Sequence, residues 1–373
     1  MTEAAVRLAE IHRLADFEAL AALAMPAPAY GYVAGGAWDE ETLADNEAAW
    51  RRYRLRPRVL VDVSRIDPST DAFGSPSTMP VAIAPMALHG LVHPDAEPAV
   101  ARAAAAAGIP FALSTMSTCS IEDVAAAAPE ATRWFQLYTQ ADPGRTRTLV
   151  ERAAAAGYRA LLLTVDLPVL GYRERDRRSG FRLDAPLGNF PAPSGPTHAG
   201  HGADQDAPLD EAFDTALTWA DLVAIRTWST MPLVLKGIMT AEDARIALDH
   251  GVDGIVVSNH GARQLDRTLA PVDALAEIVE AVTGRTEVWV DGGVRRGLDI
   301  AIALALGAHG VLIGRPILWA LAAGGQAGVE RALAIVREEL EVAMALLGTP
   351  TPTDITRSSV QPARPTDAGT MPR

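Results

Sequence analysis

The chain is poor in cysteine and in positive charge. Cys119 is the single cysteine among 373 residues, so no internal disulfide can form, and a lone thiol fits a reducing compartment. The net charge of −13 argues against a nucleic-acid partner, because phosphate backbones are held by basic patches. No run approaches the roughly 18 apolar residues of a membrane span, and Glu3, Arg7 and Glu10 interrupt the N-terminal alanines where a secretory leader would be apolar. We therefore predict a cytoplasmic protein with small-molecule partners, and neither nucleic acid nor membrane.

Lysine is nearly absent as well. Of the 33 basic residues only Lys236 is a lysine, and it stands near the end of the apolar run 232–237. In a chain that otherwise uses arginine, a solitary lysine at a strand end indicates a position that needs a compact and mobile ammonium group. Chance placement is the alternative interpretation.

Eight apolar runs with the length of strands recur along the chain, at residues 79–85, 109–115, 132–138, 158–166, 232–237, 254–259, 287–292 and 310–315. Such runs are typical of strands buried on both faces. Several of the intervening segments end at glycines, and they carry apolar residues at helical spacing, as at 95–107, 142–156, 241–250 and 296–306. Tandem βα units with right-handed crossovers close into a barrel whose active site lies at the C-terminal strand ends. The sequence therefore predicts an α/β protein with a (β/α)8 TIM barrel.

The C-terminal ends of these runs carry polar or ionisable side chains. After residues 254–257, Ser258 is followed by His260 and Arg263, with Gly261 between them, where the chain can turn or approach a ligand closely. A core histidine is the structural alternative for His260, but Gly261 and Arg263 do not suit a packed interior. Functional residues concentrate at this face of a barrel, so these ends form the candidate site. The other ends carry Pro85-Met86-Ala87, Ser114, Gln136 with Tyr138, Thr164 with Asp166, Lys236, Asp291 with Gly292, Gly293 and Arg295, and Gly314 with Arg315.

The last two loops are similar to the phosphate site of TIM barrels. Both contain glycines, Gly292-Gly293 and Gly314, that expose backbone N–H groups beside a helix N-terminus. Arg295 and Arg315 add bidentate positive charge. Two such loops on the last two strands predict a site for a phosphorylated ligand.

The histidines show no metal-ligand spacing with a third partner at convincing range, so no metal is predicted.

Together these motifs resemble one family. The stretch 260–264 (His-Gly-Ala-Arg-Gln), with Lys236-Gly237 before it and the stretches 291–297 and 313–316 after it, is similar to the FMN-dependent L-2-hydroxy acid oxidases and dehydrogenases. These include glycolate oxidase, lactate oxidase, mandelate dehydrogenase and hydroxymandelate oxidase, and the resemblance runs from about residue 15 to about residue 355. It implies bound FMN, oxidation of an L-2-hydroxy acid to the 2-oxo acid, and a homo-oligomer, often a tetramer. Because the loop at about 184–216 lacks the apolar anchor of the membrane-bound family members, we expect oxygen as the acceptor, with peroxide as product.

The resemblance assigns the substrate side of the site. It implies that His260 is the base beside the substrate's α-carbon, that Asp166 orients it, and that Lys236 stabilises the negative charge of reduced flavin. From the residues alone, Arg173 lies in a charge run typical of a solvated face, and Tyr32 could be a packing residue. The groups that the resemblance places on the substrate are Tyr32, Arg173 and Arg263 at its carboxylate and Tyr138 at its hydroxyl.

The resemblance also assigns the flavin side. It implies that Pro85, Met86 and Ala87 lie against the flavin ring. The polar edge of the ring is expected to form hydrogen bonds with Ser114, Gln136, Thr164, Lys236 and Ser258. The ribityl chain and the phosphate are expected to be held by Asp291, Gly292, Gly293, Arg295, Gly314 and Arg315. These roles suit the reaction, which needs a base near the Cα–H and O–H, cations at the carboxylate and an electron acceptor close by.

One departure from the family concerns substrate size. Met116 stands where glycolate oxidases have a tryptophan, in the loop after the second run. A flexible thioether leaves a softer and roomier pocket than an indole. We therefore expect a medium-sized or aromatic 2-hydroxy acid as readily as glycolate or lactate.

Other functions stay open at this stage. The chain could be a soluble dehydrogenase that passes electrons to another carrier. Lys236 in a phosphate-binding barrel also suits a Schiff-base aldolase. An FMN-dependent isomerase of the same fold would need no carboxylate clamp, and a binding protein without catalysis would leave the pair of His260 and Asp166 without purpose.

Further segments surround or interrupt the barrel, which is predicted at residues 79–348. Residues 1–78 lack a βα repeat and are expected to form helices and short strands that close the barrel bottom and bring Tyr32 to the rim. A Pro- and Gly-rich insertion at about 184–216 is expected to be a lid, and its acidic residues argue against membrane docking. The tail 349–373 is predicted to be poorly ordered.

Overall fold

Helices and short strands precede the barrel in the computed structural model, which describes residues 8–181, 186–190 and 213–363. Pro28 lies in the first turn of the second helix, where the missing N–H would have no intrahelical partner. In chain order these elements are α1 (Asp16–Ala24), α2 (Ala27–Ala34), α3 (Glu41–Ala48), β1 (Tyr53–Leu55), and the hairpin of β2 (Thr70–Ala72) and β3 (Ser75–Ser77).

Eight parallel strands of the described chain form a closed barrel, which confirms the predicted TIM barrel. They are β4 (Val81–Ile83), β5 (Phe111–Ser114), β6 (Arg133–Leu137), β7 (Ala160–Thr164), β8 (Leu233–Ile238), β9 (Gly254–Val257), β10 (Glu287–Val290) and β11 (Gly310–Ile313). Each coincides with one predicted run, and only β8 extends past its run, by one residue. Nearly all their positions are buried, because helices cover the outside and side chains fill the inside.

Helices cover the barrel between consecutive strands. In chain order they are α4 (Ala96–Ala107), α5 (Ile121–Ala127), α6 (Pro143–Ala155), α7 (Glu174–Ser179), α8 (Asp221–Thr227), α9 (Ala241–Asp249), α10 (Pro271–Val282), α11 (Gly297–Ala305) and α12 (Arg315–Leu347). The predicted helical segments correspond to α4, α6, α9 and α11, with ends that agree within one residue. Gly108 and Gly251 follow α4 and α9 with φ of 67° and 68°, the left-handed conformation of a C-terminal cap.

The hairpin between β2 and β3 closes the N-terminal end of the barrel. Phe73 at its turn packs against Trp134 and Trp289 inside the barrel, with ring centroids 5.1 and 5.7 Å away. The two tryptophans meet edge to face at 5.5 Å. Gly254 leaves space for Phe73, since a Cβ at this position would overlap with the phenyl ring. The open end of the barrel is therefore the one that carries the predicted polar residues.

The C-terminal segment corrects one prediction. Poor order for 349–373 is wrong for residues 349–363, because strand β12 (Val360–Pro362) pairs antiparallel with β1. Ile355 and Val360 are buried. The Pro- and Thr-rich composition gives no sign of this pairing, since the partner strand lies near the other end of the chain. Residues 364–373 lie outside the described part of the chain.

Most of the insertion at 184–216, including the expected lid and the acidic residues 204–211, also lies outside the described residues. Its two described ends contact the open end of the barrel. Asn189 Nδ2 donates to the carbonyl of Thr115 at 3.0 Å, and the ring of Phe213 lies 5.1 Å from that of Tyr138. Within the described ranges, no helix is both long and apolar enough to cross a bilayer, and no three His, Cys, Asp or Glu side chains cluster as metal ligands.

Candidate active site

A cavity of about 420 Å³ lies at the C-terminal ends of the barrel strands. Asp166 and Ser258 lie behind its wall, in contact with His260 and Lys236. The structure therefore brings all the predicted site residues together at one end of the barrel. Those that line the cavity itself are Tyr32, Pro85, Met86, Ala87, Ser114, Met116, Gln136, Tyr138, Thr164, Arg173, Lys236, His260, Arg263, Asp291, Gly292, Gly293, Arg295, Gly314 and Arg315.

His260 lies between a carboxylate and a phenol. Its Nδ1 is 2.8 Å from Asp166 Oδ1, and its Nε2 is 3.2 Å from the Tyr138 hydroxyl. Burial, together with the positive charges of Lys236 and Arg173, lowers the pKa of His260 against the opposing effect of Asp166, which favours the neutral imidazole. Burial opposes ionisation of Asp166, but the contact with His260 and the charge of Lys236 outweigh it and hold the pKa of this carboxyl below its usual range. Nε2 is therefore able to accept a proton.

Lys236 is buried beside two oxygen atoms. Its Nζ lies 3.1 Å from Asp291 Oδ2 and donates to Ser258 Oγ at 2.9 Å. Burial opposes the charge of this ammonium, but Asp291 and Asp166 outweigh burial and raise the pKa of Lys236. Ser258 Oγ also accepts from the backbone N–H of His260 at 3.1 Å. The site therefore contains a fixed positive charge that one hydroxyl links to the histidine.

Two guanidinium groups face the cavity near Tyr32. Arg263 lies over the ring of Tyr32, with Cζ 4.6 Å from the centroid, and donates to the carbonyls of Tyr32 at 2.6 Å and Gly35 at 3.1 Å. Arg173 Nη2 is 3.4 Å from Gln264 Oε1. Burial and the positive charge of Arg263 lower the pKa of Arg173. Because an anion between the two would offset their repulsion, this wall fits a carboxylate.

A glycine turn and two further arginines form another wall of the cavity. Gly292 and Gly293 have φ of 87° and 77°, and a side chain on Gly293 would overlap with backbone atoms of Asn46. Only glycine satisfies both conditions without strain. Burial and the positive charges of Arg263 and Arg295 lower the pKa of Arg315. A phosphate bound at this turn would offset that repulsion, as the sequence predicts.

The N-terminus of α11 differs from the expectation for the phosphate cradle. Asp299 accepts from the backbone N–H of Arg295 at 2.8 Å and of Arg296 at 2.9 Å, and Glu339 accepts from that of Gly297 at 2.7 Å. Two carboxylates therefore already occupy the N–H groups at this helix end. Arg295 already donates to Glu47 and to the Val294 carbonyl, and Arg315 donates to the carbonyls of Val33, Gly35 and Gly261. The groups left for a phosphate are the glycine turn before α11, the start of α12, and the remaining N–H groups of these two arginines.

Polar side chains on neighbouring strands form a hydrogen-bonded row in the cavity. Ser114 Oγ donates to Gln136 Oε1 at 3.1 Å, and Gln136 Nε2 donates to Thr164 Oγ1 at 3.0 Å. Asp291 Oδ1 is buried and has no hydrogen-bond partner within the described chain. An orphaned buried acceptor of this kind fits a ligand hydroxyl. The polar row, Asp291 and the glycine turn therefore fit the ring edge, the ribityl and the phosphate of FMN.

Sequence reasoning missed several residues of the site. Leu167 and Phe213 form an apolar cluster with Met116, and Leu170 packs against it. Gln264 is hydrogen-bonded to the Asp166 carbonyl. Leu170 lies within the stretch that carries Arg173 and could have been found there. Gln264 ends the stretch 260–264 and could have been found there too. Leu167 and Phe213 come together through contacts between separate segments, for which no local pattern gives a signal.

Comparisons with known proteins identify the family of the chain. Residues 21–362 match the FMN-dependent dehydrogenase family. An L-lactate oxidase of Nostoc sp. is 51% identical over 342 residues, which cover 90% of this chain and 94% of that protein. A peroxisomal (S)-2-hydroxyacid oxidase of Arabidopsis thaliana is 46% identical over 94% of this chain and 97% of its own. The solved structure of a mandelate oxidase with (S)-4-hydroxymandelic acid is 42% identical, has a TM-score of 0.90, and aligns with 95% of this chain and 99% of its own.

These matches confirm the predictions of family, barrel, oxidoreductase class and FMN cofactor. They span both the barrel and most of the segment before it, including Tyr32, so they cover the whole site described above. The chain therefore belongs to the FMN-dependent dehydrogenase family, among its FMN-dependent 2-hydroxy acid oxidases.

Proposed function

We propose that the chain oxidises an L-2-hydroxy acid to the 2-oxo acid and delivers the electrons to oxygen, which gives hydrogen peroxide. The observation that carries this proposal is the meeting of the His260–Asp166 pair, the Tyr138 hydroxyl and the guanidiniums of Arg173 and Arg263 at one cavity. A base, a hydrogen-bonding phenol and a carboxylate clamp are what this oxidation needs beside an electron acceptor. FMN, when bound, supplies that acceptor.

His260 takes a proton from the substrate in this proposal. Its neutral Nε2 is the accepting atom, and Asp166 holds the opposite N–H and stabilises the imidazolium that results. Burial raises the pKa of Tyr138, so its hydroxyl stays protonated and donates a hydrogen bond. Nε2 and this hydroxyl lie 3.2 Å apart, so both reach the oxygen on the substrate's C2.

Arg263, Arg173 and Tyr32 bind the substrate carboxylate. Two backbone carbonyls already fix the guanidinium of Arg263, so binding costs little side-chain entropy. Arg173 adds a second cation. A carboxylate between the two guanidinium groups reduces the repulsion between them. This clamp places the α-carbon of the substrate beside His260.

Lys236 would supply a fixed positive charge to bound FMN, and its electrostatics favour the oxidase over the aldolase alternative. A Schiff-base lysine is activated by a lowered pKa, whereas Asp291 and Asp166 raise the pKa of Lys236. A charged ammonium stabilises negative charge that develops on a ligand beside it. Borohydride treatment with a 2-oxo acid should therefore leave Lys236 unmodified.

Oxygen is the proposed acceptor because the relatives compared above are oxidases by name. The second candidate is a dehydrogenase that uses another carrier, which the family description favours. A peroxidase-coupled dye assay separates the two, since the oxidase releases one peroxide for each 2-oxo acid in air. Turnover that requires an added quinone or dye, with no peroxide, would establish the second candidate.

The substrate class that the cavity supports is a medium-sized or aromatic 2-hydroxy acid. Met116, Leu167 and Phe213 form an apolar cluster that lines the cavity on the same side as Tyr138, and Leu170 extends it. An apolar wall stabilises an alkyl or aryl side chain by about 25 cal/mol for each Å² that it removes from water. Glycolate, which has no side chain, gains nothing from this wall.

The visible spectrum of the purified protein tests the proposal first. We expect a flavin spectrum with maxima in the visible, and anaerobic bleaching by the S enantiomers of lactate, 2-hydroxyoctanoate and mandelate but not by the R enantiomers of the same acids. Bleaching that is strongly slowed but still measurable in His260→Asn, with FMN still bound, would support the assigned base. A strong preference for glycolate would contradict the substrate class, and protein that takes up no FMN would contradict the function.

We propose further that the chain is a homotetramer in the cytoplasm. Resemblance to family members that form tetramers supports the oligomer, and a single cysteine supports a reducing compartment. The name of the Arabidopsis relative places that protein in peroxisomes, which is the alternative compartment to test. Light scattering of the holoprotein measures the oligomer, and a fluorescent fusion in the native cell reports the compartment.

A further inference from the structure

His260 lies in a strained turn. His260, Gly261 and Ala262 have φ of 59°, 62° and 61°, so three consecutive residues adopt the left-handed conformation. Glycine tolerates this conformation, but a side chain with a Cβ does not adopt it without a steric penalty. Two of the three residues therefore depend on surrounding contacts to hold them there. The turn directs the imidazole toward Asp166 and leads into Arg263.

A reciprocal pair of carboxamides lies beneath this turn. Asn46 Nδ2 donates to Asn259 Oδ1 at 3.0 Å, and Asn259 Nδ2 donates to Asn46 Oδ1 at 2.8 Å. Both side chains are buried, with 2% and 6% of their surface exposed. Asn46 belongs to α3, outside the barrel, and Asn259 directly precedes His260. The pair therefore ties the segment before the barrel to the loop that carries the base.

Asn259 is hydrogen-bonded to the backbone of the left-handed turn. Its Oδ1 also accepts from the backbone N–H of Ala262 at 3.1 Å, and its backbone carbonyl accepts from the same N–H at 2.9 Å. Its Nδ2 donates a second hydrogen bond to the carbonyl of Leu269 at 3.1 Å. All donor and acceptor positions of the Asn259 amide are thus in use. Its orientation depends on Asn46, which supplies one bond to each end of the amide.

The same part of α3 also contacts the glycine turn of the predicted phosphate site. The backbone of Asn46 lies where a side chain on Gly293 would be, and Trp50, which follows α3, donates through Nε1 to the carbonyl of Gly292 at 3.0 Å. One short segment outside the barrel therefore supports both the loop with the base and the loop with the glycine turn. The two loops follow the neighbouring strands β9 and β10, and α3 contacts both of them from outside the barrel.

We propose that Asn46 is a positioning residue for the oxidation: through Asn259 it holds the left-handed turn that sets His260 against Asp166 and Arg263 against the substrate carboxylate. The proposal rests on the function assigned to His260 above. Asn46 touches neither substrate nor flavin in this role and acts only through the turn. A group misplaced by about 1 Å can lose on the order of 100-fold in rate, so a small relaxation of the turn has a large effect.

Asn46→Leu, which is similar in size but forms no hydrogen bond, tests the proposal. We expect kcat/KM for the best S-2-hydroxy acid to fall by about 10- to 100-fold, mainly through kcat, with FMN still bound. Asn46→Ser leaves room for a water molecule and should lose less, and it serves as the test protein if Asn46→Leu does not fold. The matched control is Ala44→Ser, an exposed position on the same helix, which should keep the wild-type kcat.

A double-variant cycle with His260→Asn separates positioning from a general structural effect. If Asn46 acts through the turn, Asn46→Leu strongly lowers the rate of anaerobic flavin bleaching at saturating substrate in the wild-type background. In the His260→Asn background it lowers this rate by less than about threefold, because the contribution of Arg263 to substrate binding does not enter at saturation. An equal loss in both backgrounds, or a wild-type kcat in both Asn46 variants, would overturn the inference. Loss of FMN from Asn46→Leu with normal kinetics after reloading would overturn it too.

The same cycle distinguishes this inference from the function on which it rests. Wild-type activity in His260→Asn would contradict the assignment of His260 as the base and hence the proposed function. Lost activity in His260→Asn, combined with wild-type activity in Asn46→Leu, would support the proposed function and contradict only the positioning role of Asn46.

Discussion

Asp166 holds His260 by a single carboxylate oxygen. Oδ1 lies 2.8 Å from Nδ1 of the imidazole, while Oδ2 is buried without a hydrogen-bond partner in the part of the chain that the structure describes. The hydrogen bond fixes the tautomer in which Nδ1 carries the proton and Nε2 faces the cavity. The negative charge also favours the imidazolium and so opposes the effect of burial on the pKa of His260.

The first prediction concerns Asp166→Asn. We expect kcat to fall by about 10²- to 10⁴-fold, because the amide permits the wrong tautomer and no longer stabilises the imidazolium. In the wild type, kcat/KM should fall as the pH drops through the pKa of His260, which burial lowers below its usual value. Removal of the carboxylate takes away the charge that raises this pKa, so the acid limb should move to still lower pH. Stopped-flow bleaching across a pH series measures both effects.

A matched control for this prediction is Asp249→Asn, at an exposed position on α9. It removes the same charge far from the histidine and should leave kcat and the acid limb unchanged. An acid limb that moves upward in Asp166→Asn would contradict the assigned roles, since only a group that disfavours the imidazolium could produce it.

The second prediction concerns the buried ion pair of Lys236 and Asp291. Lys236→Met leaves the Asp291 carboxylate buried without the ammonium at 3.1 Å, and breaking such a pair costs about 3–5 kcal/mol. Lys236→Met with Asp291→Asn removes both charges and should recover a large part of this loss. Urea unfolding of the flavin-free proteins measures the free energies. Equal destabilisation of the single and double variants would show that the pair contributes nothing as a pair.

The third prediction concerns the closed end of the barrel. Gly254→Ala places a methyl group into the ring of Phe73, and overpacking of this kind costs about 1–3 kcal/mol. Phe73→Leu in the same chain should relieve the overlap, so the double variant should be more stable than the sum of the single changes predicts. Thermal unfolding of the four proteins gives the coupling. If the stability losses of the two single variants simply add in the double variant, Gly254 and Phe73 are not in contact.

The barrel and the strand-end residues of the site could be predicted from the sequence because both depend on local patterns, whereas Tyr32 and Arg173 could be assigned only through the family resemblance. Each strand is a short apolar run bounded by glycine or polar residues, and parallel strands deliver their C-terminal ends to one face. Residues as far apart as Tyr138 and His260 could therefore be assigned to one cavity before their contact at 3.2 Å was known.

Contacts between distant segments could not be predicted in this way. β12 pairs with β1, and Asn46 pairs with Asn259. The sequence around each of these segments contains no pattern from which its partner could be identified. Their positions follow from the packing of the segments around the finished barrel. The capped N-terminus of α11 is a similar case, because Glu339 reaches it from the last helix.

The fourth prediction concerns Met116 and substrate size. Met116 is almost fully buried and packs with Leu167 and Phe213 on the apolar side of the cavity. Met116→Trp fills this space with an indole, so mandelate and 2-hydroxyoctanoate should lose about 1–3 kcal/mol of transition-state stabilisation, which is about 10- to 200-fold in kcat/KM. Glycolate does not reach the wall, and its kcat/KM should change by less than about threefold.

The ratio of kcat/KM between mandelate and glycolate is the quantity that decides this prediction, because it cancels any loss of active protein. Met116→Leu conserves volume and apolar character and should leave the ratio close to that of the wild type. If Met116→Trp lowers both substrates equally, the indole disturbs the base or the flavin and does not shrink the side-chain pocket. A ratio that is unchanged with full activity would place the substrate side chain away from Met116, against Leu170 or toward the solvent side of the cavity.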